Sequence, residues 1–383
     1  MFIRPKKPEQ EPHVRHTLAE LGYEFDLDSG DLVSKTTGEV YTYDQPGKDK
    51  KRCKEVYASL VQAASREVYS IITANGSGLG MQPIAVPDAN QPHCTIYATR
   101  GALSKKHLVV LVTGHGNFAA VWGWNVLVKC GLNKGSVVEY IRECEKRGFG
   151  VVLLNPNENI VAPDGVSETF NSYSGRSIPI RGSETPNEHV GYVWSHIIRD
   201  SEAQSVAFVL HGSAGTAGVD LLKYDFARFT AKVVCIAFVD SIHSTFMLTS
   251  GAITWLGRCA KQWEPTTSTA TTTGDVGGAG SSSGTAAVFS DRLGCAVVEV
   301  ANDSEFRELT TALCMDELLD YVESSFRRGP LTGIPESRPD DDSDGLGHDH
   351  DLGSGAHGLD DVQFINNTYK IKPSGKDGYV GWE

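Results

Sequence analysis

The sequence predicts an α/β fold in which a mostly parallel sheet carries helices on both faces. Two observations lead to this prediction: near-continuous apolar strand segments, and helical segments that alternate with them from residue 94 onward. Strands that are buried on both faces lose polar alternation, so such apolar runs indicate a parallel sheet. The predicted elements follow in this order: strand 107–113, helix 135–147, strand 150–154, helix 192–198, a strand ending at Leu210, helix 216–229, strand 233–239, strand 294–300 and helix 308–325.

An extension precedes this alternating region. Leu21 to Phe25 and Glu39 to Tyr43 are strand-like and flank a turn at Asp28 to Asp31, which predicts a hairpin. Apolar residues then recur at helical spacing over residues 50–73. This periodicity predicts an amphipathic helix whose basic first turn is solvated.

Low-complexity segments set the expected domain boundaries. Residues 264–287 are rich in Thr, Gly and Ser, which predicts a disordered insertion between strands. Residues 327–383 predict an acidic, largely disordered tail, because residues 336–361 carry nine Asp and Glu against one Arg. We therefore expect one domain over residues 21–326, after a flexible N-terminus over residues 1–20.

The composition argues against several function classes. The net charge is −13 and no broad basic surface is visible, so direct electrostatic binding of nucleic acid is not expected. No run approaches the roughly 18 apolar residues of a membrane span, and the first residues lack the apolar segment of a secretory signal. The eight cysteines form no C-x-x-C pair. The sequence G-H-D-H-D at residues 347–351 does not resemble an ordered set of metal ligands. We expect buried free thiols and neither a metal nor a cofactor.

The most informative stretch, residues 206–215, runs from a buried strand into a glycine turn. α/β-Hydrolases place their nucleophilic serine on such a strand-to-helix turn, in the pattern G-x-S-x-G. With Ser213 as the nucleophile, bulky His211 stands where the first small residue belongs, although Gly215 fits the second. If the nucleophile position is instead counted from the end of the apolar strand, it falls on Gly212, which has no side chain.

The remaining members of a catalytic triad are also incomplete. Asp240 stands at a strand end, where an acid is typical of a triad, but His243 could act as base only if its loop curls back. On this scaffold the triad residues follow in the chain order serine, acid, histidine, so a histidine is required late in the sequence. The segment before the last helix contains no histidine. It carries Arg307, whose guanidinium stays protonated and cannot act as a base. A binding module is therefore favoured. The alternative is an active serine hydrolase that uses Ser213, with His243 or His115 as base and Asp240 as orienter.

Loops at the strand ends supply the candidate pocket. Gly114 to Asn117 could offer oxyanion-hole N–H groups or form only a tight turn, and Asn155 to Asn159 could bind a ligand or only end its strand. A third alternative is an anion or metabolite sensor, in which Arg307 and the backbone of the first loop hold the ligand. The candidate pocket residues are Gly114, His115, Gly116, Asn117, Asn155, Asn157, Glu158, His211, Gly212 and Arg307. The candidate catalytic residues are Ser213, Asp240 and His243.

Three motifs give the chain a family resemblance. They are L-L-N-P-N-E-N at residues 153–159, Glu188-His189 followed by Tyr192-Val193-Trp194, and D-S-I-H at residues 240–243. With these motifs the chain resembles, over about residues 20–326, the Arb-two domain family. That family includes the fungal Argonaute-binding protein two, animal cotranscriptional regulators, and the C-terminal domain of fungal class II histone deacetylases.

The resemblance implies an α/β-hydrolase-like fold, residence in the nucleus with the cytoplasm as a second location, and a part in small-RNA-linked silencing, heterochromatin or cotranscriptional regulation. Some members carry a serine in H-S-x-G-G and a histidine shortly before the last helix. The matching positions here are Gly212 and Arg307. The resemblance also implies protein partners of the Argonaute, chromatin or splicing-factor type, with any small interfering RNA contacted indirectly. We therefore expect a degenerate, hydrolase-like binding module.

Overall fold

The structure is a computed structural model that describes residues 16–336 apart from residues 27, 44–48, 77, 162–166, 169–176 and 267–286. Its strands are β1 (Tyr23–Phe25), β2 (Leu32–Ser34), β3 (Gln82–Val86), β4 (Cys94–Ala98), β5 (His107–Val112), β6 (Gly150–Leu153), β7 (Ile160–Val161), β8 (Ser167–Glu168), β9 (Ile178–Pro179), β10 (Ser205–His211), β11 (Val233–Val239), β12 (Ala260–Thr266), β13 (Val288–Ser290) and β14 (Cys295–Ala301). Its helices are α1 (Lys50–Thr73), α2 (Trp124–Cys130), α3 (Leu132–Gly135), α4 (Val138–Lys146), α5 (Pro186–Val193), α6 (Ala214–Tyr224), α7 (Phe226–Lys232), α8 (Ser250–Cys259), α9 (Thr310–Leu313) and α10 (Met315–Arg328).

The large sheet of the described region has nine strands in the order β3-β4-β6-β5-β10-β11-β12-β14-β13. From β6 to β14 every neighbouring pair is parallel. Strand β4 is antiparallel to both neighbours, and β13 is antiparallel to β14. Parallel strands bring their carboxyl ends to one edge of a sheet, and ligands of open α/β sheets bind outside those ends. The loops after β5, β6, β10, β11 and β14 therefore surround the candidate site.

Helices cover both faces of the sheet, because strand residues alternate between two apolar cores. On β5, Val109 and Leu111 join the core that α1, α4 and α10 supply, whereas Val110 and Val112 join the core of α5 to α8. Every residue of β10 and β11 is buried, which explains their unbroken apolar sequences. This arrangement confirms the predicted α/β-hydrolase-like fold.

Several elements lie where the sequence predicts them. Helix α1 has the predicted bounds, and the Asp49 carboxylate caps it by accepting a hydrogen bond from the Lys51 N–H. Strand β11 also has the predicted bounds. The predicted helix 216–229 is divided into α6 and α7 at Asp225, whose carboxylate accepts a hydrogen bond from Trp194 Nε1 at 2.9 Å. The break falls where Asp225 leaves the helical conformation, at φ = −136° and ψ = 37°.

Two predictions inside the domain need correction. The partner of β1 is β2, while the expected arm at Glu39 to Tyr43 contributes only an isolated bridge between Val40 and Val33. The predicted insertion at 264–287 begins too early, because residues up to Thr266 form β12 and pair with β14. The burial of Trp263 holds β12 in the sheet although Pro265 follows closely.

The predicted domain ends also need correction. Leu18 is buried, although it lies in the expected flexible N-terminus at 1–20. At the other end α10 continues to Arg328, and Leu331 and Ile334 pack against the core, so the expected tail at 327–383 begins later than predicted. The remaining residues of both predicted segments, the bulk of the predicted insertion and the histidine-containing stretch at 347–351 lie outside the described residues.

Candidate functional site

The turn after β10 carries a glycine in the left-handed conformation. Gly212 has φ = +57° and stands between His211, the last residue of β10, and helix α6. A Cβ added there would have only the Cα of Gly114 within 4 Å, at 3.8 Å, so the turn has room for a side chain. The position at which a hydrolase presents its nucleophile is therefore sterically open and carries no side chain.

Helix α6 lies very close to the loop that follows β11. A Cβ added at Gly215 would lie 1.8 Å from the Oγ of Ser241. Any larger residue at position 215 would push the helix and this loop apart. Gly215 therefore allows the turn after β10 and the loop that carries Asp240 to share one small site.

The hydroxyl of Ser213 faces the loop after β5. Ser213 has helical backbone angles, φ = −67° and ψ = −18°, and its Oγ accepts a hydrogen bond from the His115 N–H at 2.7 Å. This backbone donor belongs to the loop for which an oxyanion hole is predicted, and in this structure it is occupied by the Ser213 hydroxyl. His115 itself is exposed, and it contacts Ser213 through its backbone.

Asn157 fixes the loop after β5. Its buried amide donates to the carbonyl oxygens of Gly114 at 2.9 Å and Asn117 at 2.8 Å, and its Oδ1 accepts the Gly116 N–H at 3.3 Å. All three hydrogen bonds involve backbone groups of one loop. Asn157 therefore braces the glycine-rich loop, a role that fits neither the proposed ligand contact nor simple strand termination.

The neighbouring asparagines also bind backbone groups. The side-chain amides of Asn155 and Asn159 donate to the carbonyls of Thr95 at 3.1 Å and Ser183 at 2.8 Å. The backbone N–H of Asn155 donates to Nε2 of buried His189 at 3.1 Å. Ser183 Oγ in turn donates to the carbonyl of Glu158 at 2.9 Å. Since Nε2 of His189 accepts, its Nδ1 carries the proton, and burial lowers its pKa to about 3. Sequence reasoning missed this bracing role of His189, although its Glu-His motif was part of the family resemblance.

His243 points into the protein. Its ring stacks on Phe238 at a centroid distance of 3.8 Å, its Nδ1 lies 2.9 Å from Ser241 Oγ, and its Nε2 lies 3.0 Å from the Leu293 carbonyl oxygen. Because a carbonyl oxygen only accepts, Nε2 carries the proton and Nδ1 accepts from the serine hydroxyl. Burial lowers the pKa of His243 to about 4. Both ring nitrogens are therefore engaged away from Ser213.

Asp240 forms a bidentate ion pair with Arg307. Arg307 Nε donates to Oδ2 at 3.0 Å, and Nη2 donates to Oδ1. This carboxylate hydrogen bond is the main cause of the raised Arg307 pKa. The guanidinium thus occupies the position against the acid that a triad histidine requires.

His211 lies beneath the turn. It is buried against Trp122 at a ring-centroid distance of 5.9 Å, and its Nδ1 has no hydrogen-bond partner within the described parts of the chain. Burial lowers the pKa of His211, although the negative charges of Asp240 and Glu308 act to raise it. The imidazole is therefore a neutral packing group under the Gly212 turn.

The structure brings most of the predicted residues to one edge of the sheet. The residues that meet there are Gly114, His211, Gly212, Ser213, Asp240 and Arg307. Asn157, which follows β6, binds the backbone of the loop after β5. Among residues 16–336, leaving aside the gaps, no group of three or more metal-ligating side chains occurs. No helix in the same set is long and apolar enough to span a membrane.

The fold and the site together define a class of protein: an α/β-hydrolase-like domain with glycine at the nucleophile turn and arginine against the acid. The family model described as the Arb2 domain matches residues 14–269, and the chain belongs to that family. This finding confirms the resemblance drawn from the three sequence motifs.

Curated relatives match about two thirds of the chain. Over 290 residues the chain is 26% identical to cotranscriptional regulator ARB2A of Mus musculus, covering 64% of this chain and 69% of that protein. It is 25% identical over 277 residues to the putative protein ARB2BP of Homo sapiens, covering 64% and 75%. Among solved structures, a histone deacetylase from Saccharomyces cerevisiae aligns with a TM-score of 0.43 at 14% identity, covering 70% of this chain and 98% of that chain.

Proposed function

We propose that the chain is a regulatory binding module built on a degenerate α/β-hydrolase-like domain. It acts in the nucleus, in cotranscriptional regulation or small-RNA-linked silencing, and it reaches RNA through protein partners. Membership of the Arb2 domain family and similarity to proteins named cotranscriptional regulators support the regulatory part. The partner classes to test are Argonaute-type, chromatin and splicing proteins.

The Asp240–Arg307 pair is the observation that carries the non-catalytic part of the proposal. Acyl transfer by a serine requires a base that accepts the hydroxyl proton near neutral pH. Arg307 is a permanent cation, and the adjacent carboxylate raises its pKa further. Gly212 supplies no hydroxyl, and the Ser213 hydroxyl is bonded to the His115 N–H. These contacts favour binding over turnover.

An ester-hydrolysis assay tests the non-catalytic part. Purified protein and its Ser213→Ala variant should hydrolyse short acyl esters at the same rate as buffer with an inert protein. Turnover that is abolished by Ser213→Ala would instead establish the alternative serine hydrolase. An exposed serine elsewhere, Ser324, offers a matched Ser→Ala control because it bonds only within its own helix.

Affinity purification of the tagged full chain from nuclei of its source cells tests the regulatory part. Argonaute-type, chromatin or splicing proteins should be enriched over a tagged inert protein and should remain after ribonuclease treatment. Release of these proteins by ribonuclease would contradict contact through protein. Failure to enrich any of the three classes would contradict the proposed role itself.

A further inference from the structure

We infer that the loop after β11 is a docking surface for a protein segment that carries bulky apolar side chains next to lysine or arginine. The inference rests on the proposed function as a binding module and names its contact surface. We call residues 240–247 the apolar loop. Its exposed apolar side chains are Ile242, Phe246 and Met247.

The exposure of these three side chains is high for their size. Ile242 is 66% exposed, Phe246 81% and Met247 62%. Single apolar residues on a surface are ordinary, but several on one short loop mark an interaction site. The Ile242 N–H also reaches the Gly212 carbonyl at 3.4 Å, so the apolar loop borders the candidate site.

Buried neighbours hold the apolar loop in place. Ser241 and His243 are buried within it and Leu248 directly after it, and His243 is bonded to the Leu293 carbonyl. The Thr245 N–H donates to the Arg292 carbonyl at 3.0 Å. The exposed side chains therefore project from a fixed backbone, which lowers the ordering cost of binding a partner.

Backbone strain marks the two ends of the same loop. Within the described residues, Asp240 at φ = +48° and Met247 at φ = +68° are the only non-glycine residues with positive φ. Side chains make this conformation unfavourable, and proteins retain such strain mainly at functional sites. Here it encloses the segment that exposes Ile242 and Phe246. The strain and the exposure are independent observations that indicate the same surface.

The charges around the apolar loop select the kind of partner. Arg307 already pairs with Asp240, and Glu264 and Glu308 also act on it electrostatically. At the far end Thr245 Oγ1 donates to the backbone carbonyl of Asp291, and the Arg292 guanidinium is occupied by the His243 carbonyl. At the end that borders the candidate site, three carboxylates thus act on the single guanidinium of Arg307, so this end carries net negative charge. Electrostatic complementarity therefore favours lysine or arginine beside the partner's apolar side chains.

Peptide display identifies the preferred ligand without knowledge of the partner. A library of random peptides is selected on the immobilised full chain and, in parallel, on its Ile242→Ser/Phe246→Ser variant. Peptides enriched on the unaltered protein should combine bulky apolar residues with an excess of Lys and Arg. Synthesised individually, they should bind the double variant at least about tenfold more weakly, as expected for contacts at an interface centre.

Two controls make the comparison specific. Tyr224→Ser removes an aromatic side chain that is 42% exposed on α6, and it should leave peptide affinity unchanged. Thermal melting should be the same for the double variant and the unaltered protein, because the substituted side chains are exposed. Replacing the basic residues of a selected peptide by Gln should weaken binding by at least about threefold at low salt.

Several results would overturn the inference. Equal affinity for the double variant, or selection of acidic peptides, would do so. A dimer of the unaltered protein in light scattering that is lost in the double variant would assign the surface to a second copy. The ester assay is independent of these outcomes: turnover would remove the proposed function, whereas failure of the peptide test removes only the apolar loop as its contact surface.

Discussion

Arg307 and Asp240, which lie 67 residues apart in the sequence, form a two-point ion pair at the carboxyl edge of the sheet. In a triad the carboxylate at such a strand end orients an imidazole that moves a proton. Here both carboxylate oxygens accept hydrogen bonds from a group that keeps its proton. This contact is what supports our proposal that the site does not transfer protons.

Replacing Arg307 with Gln should lower the free energy of unfolding by about 1 kcal/mol or less, because solvent screens an exposed ion pair. The Arg307 side chain is 60% exposed and that of Asp240 20%. Urea denaturation at low salt and at about 1 M salt checks this, and the loss should shrink at high salt. Arg327→Gln, which removes the exposed pair with Glu323, is the matched control. A loss of about 3 kcal/mol or more would show that the pair behaves as a buried one.

Replacing Asn157 with Ala should destabilise the protein by about 2–4 kcal/mol, because three hydrogen bonds to the loop after β5 are lost and the partly buried Asn117 carbonyl loses the Asn157 amide as donor. Urea denaturation measures the loss. Asn90→Ala provides the control, since exposed Asn90 bonds only to Asp88 nearby. If Asn157→Ala costs no more than this control, the loop is not held by Asn157.

The buried histidines should make stability fall as the solution is acidified. The pKa of His243 is lowered to about 4, so in the folded protein it stays neutral where the unfolded chain, with an ordinary value near 6.5, takes up a proton. Its stabilising contribution is complete above about pH 6.5 and is lost as the pH falls towards 4, at about 1.4 kcal/mol per pH unit.

Denaturation between pH 7 and pH 5 tests this linkage. In His243→Gln the pH dependence of the unfolding free energy should decrease by about one proton, whatever the stability at neutral pH. Ser324→Ala, which removes an exposed side chain that does not titrate in this range, should keep the slope of the unaltered protein. An unchanged slope in His243→Gln would mean that the imidazole is not held neutral by burial.

Sequence reasoning succeeds here where local patterns decide the structure. Periodicity and an acidic cap define α1, and an unbroken apolar run defines β11. It misses β12, because a strand containing Lys261, Gln262 and Pro265 has no apolar signature and is held by its neighbours on both sides. The strand that pairs with β1 is missed for the same reason. Strand β2 is held in place because Leu32 is buried in the core.

The site was predictable as a set of residues but not as a set of contacts. Strand-end positions indicated Asp240 and Gly212, and the missing late histidine indicated Arg307. The direction of His243 depends on Phe238 beneath it and on a carbonyl 50 residues away, at Leu293. Such long-range partners cannot be read from spacing. The bracing role of Asn157 is of the same kind, because its partners lie about 40 residues earlier in the chain.

Fluorophosphonate labelling followed by intact-protein mass spectrometry tests most directly whether the triad is absent. The comparison sets the unaltered protein beside Gly212→Ser/Arg307→His. Position 212 has room for a side chain, although the left-handed conformation adds strain of about 1–3 kcal/mol. We predict no adduct on the unaltered protein and an adduct at position 212 of the double variant. An adduct on Ser213 of the unaltered protein would contradict the account.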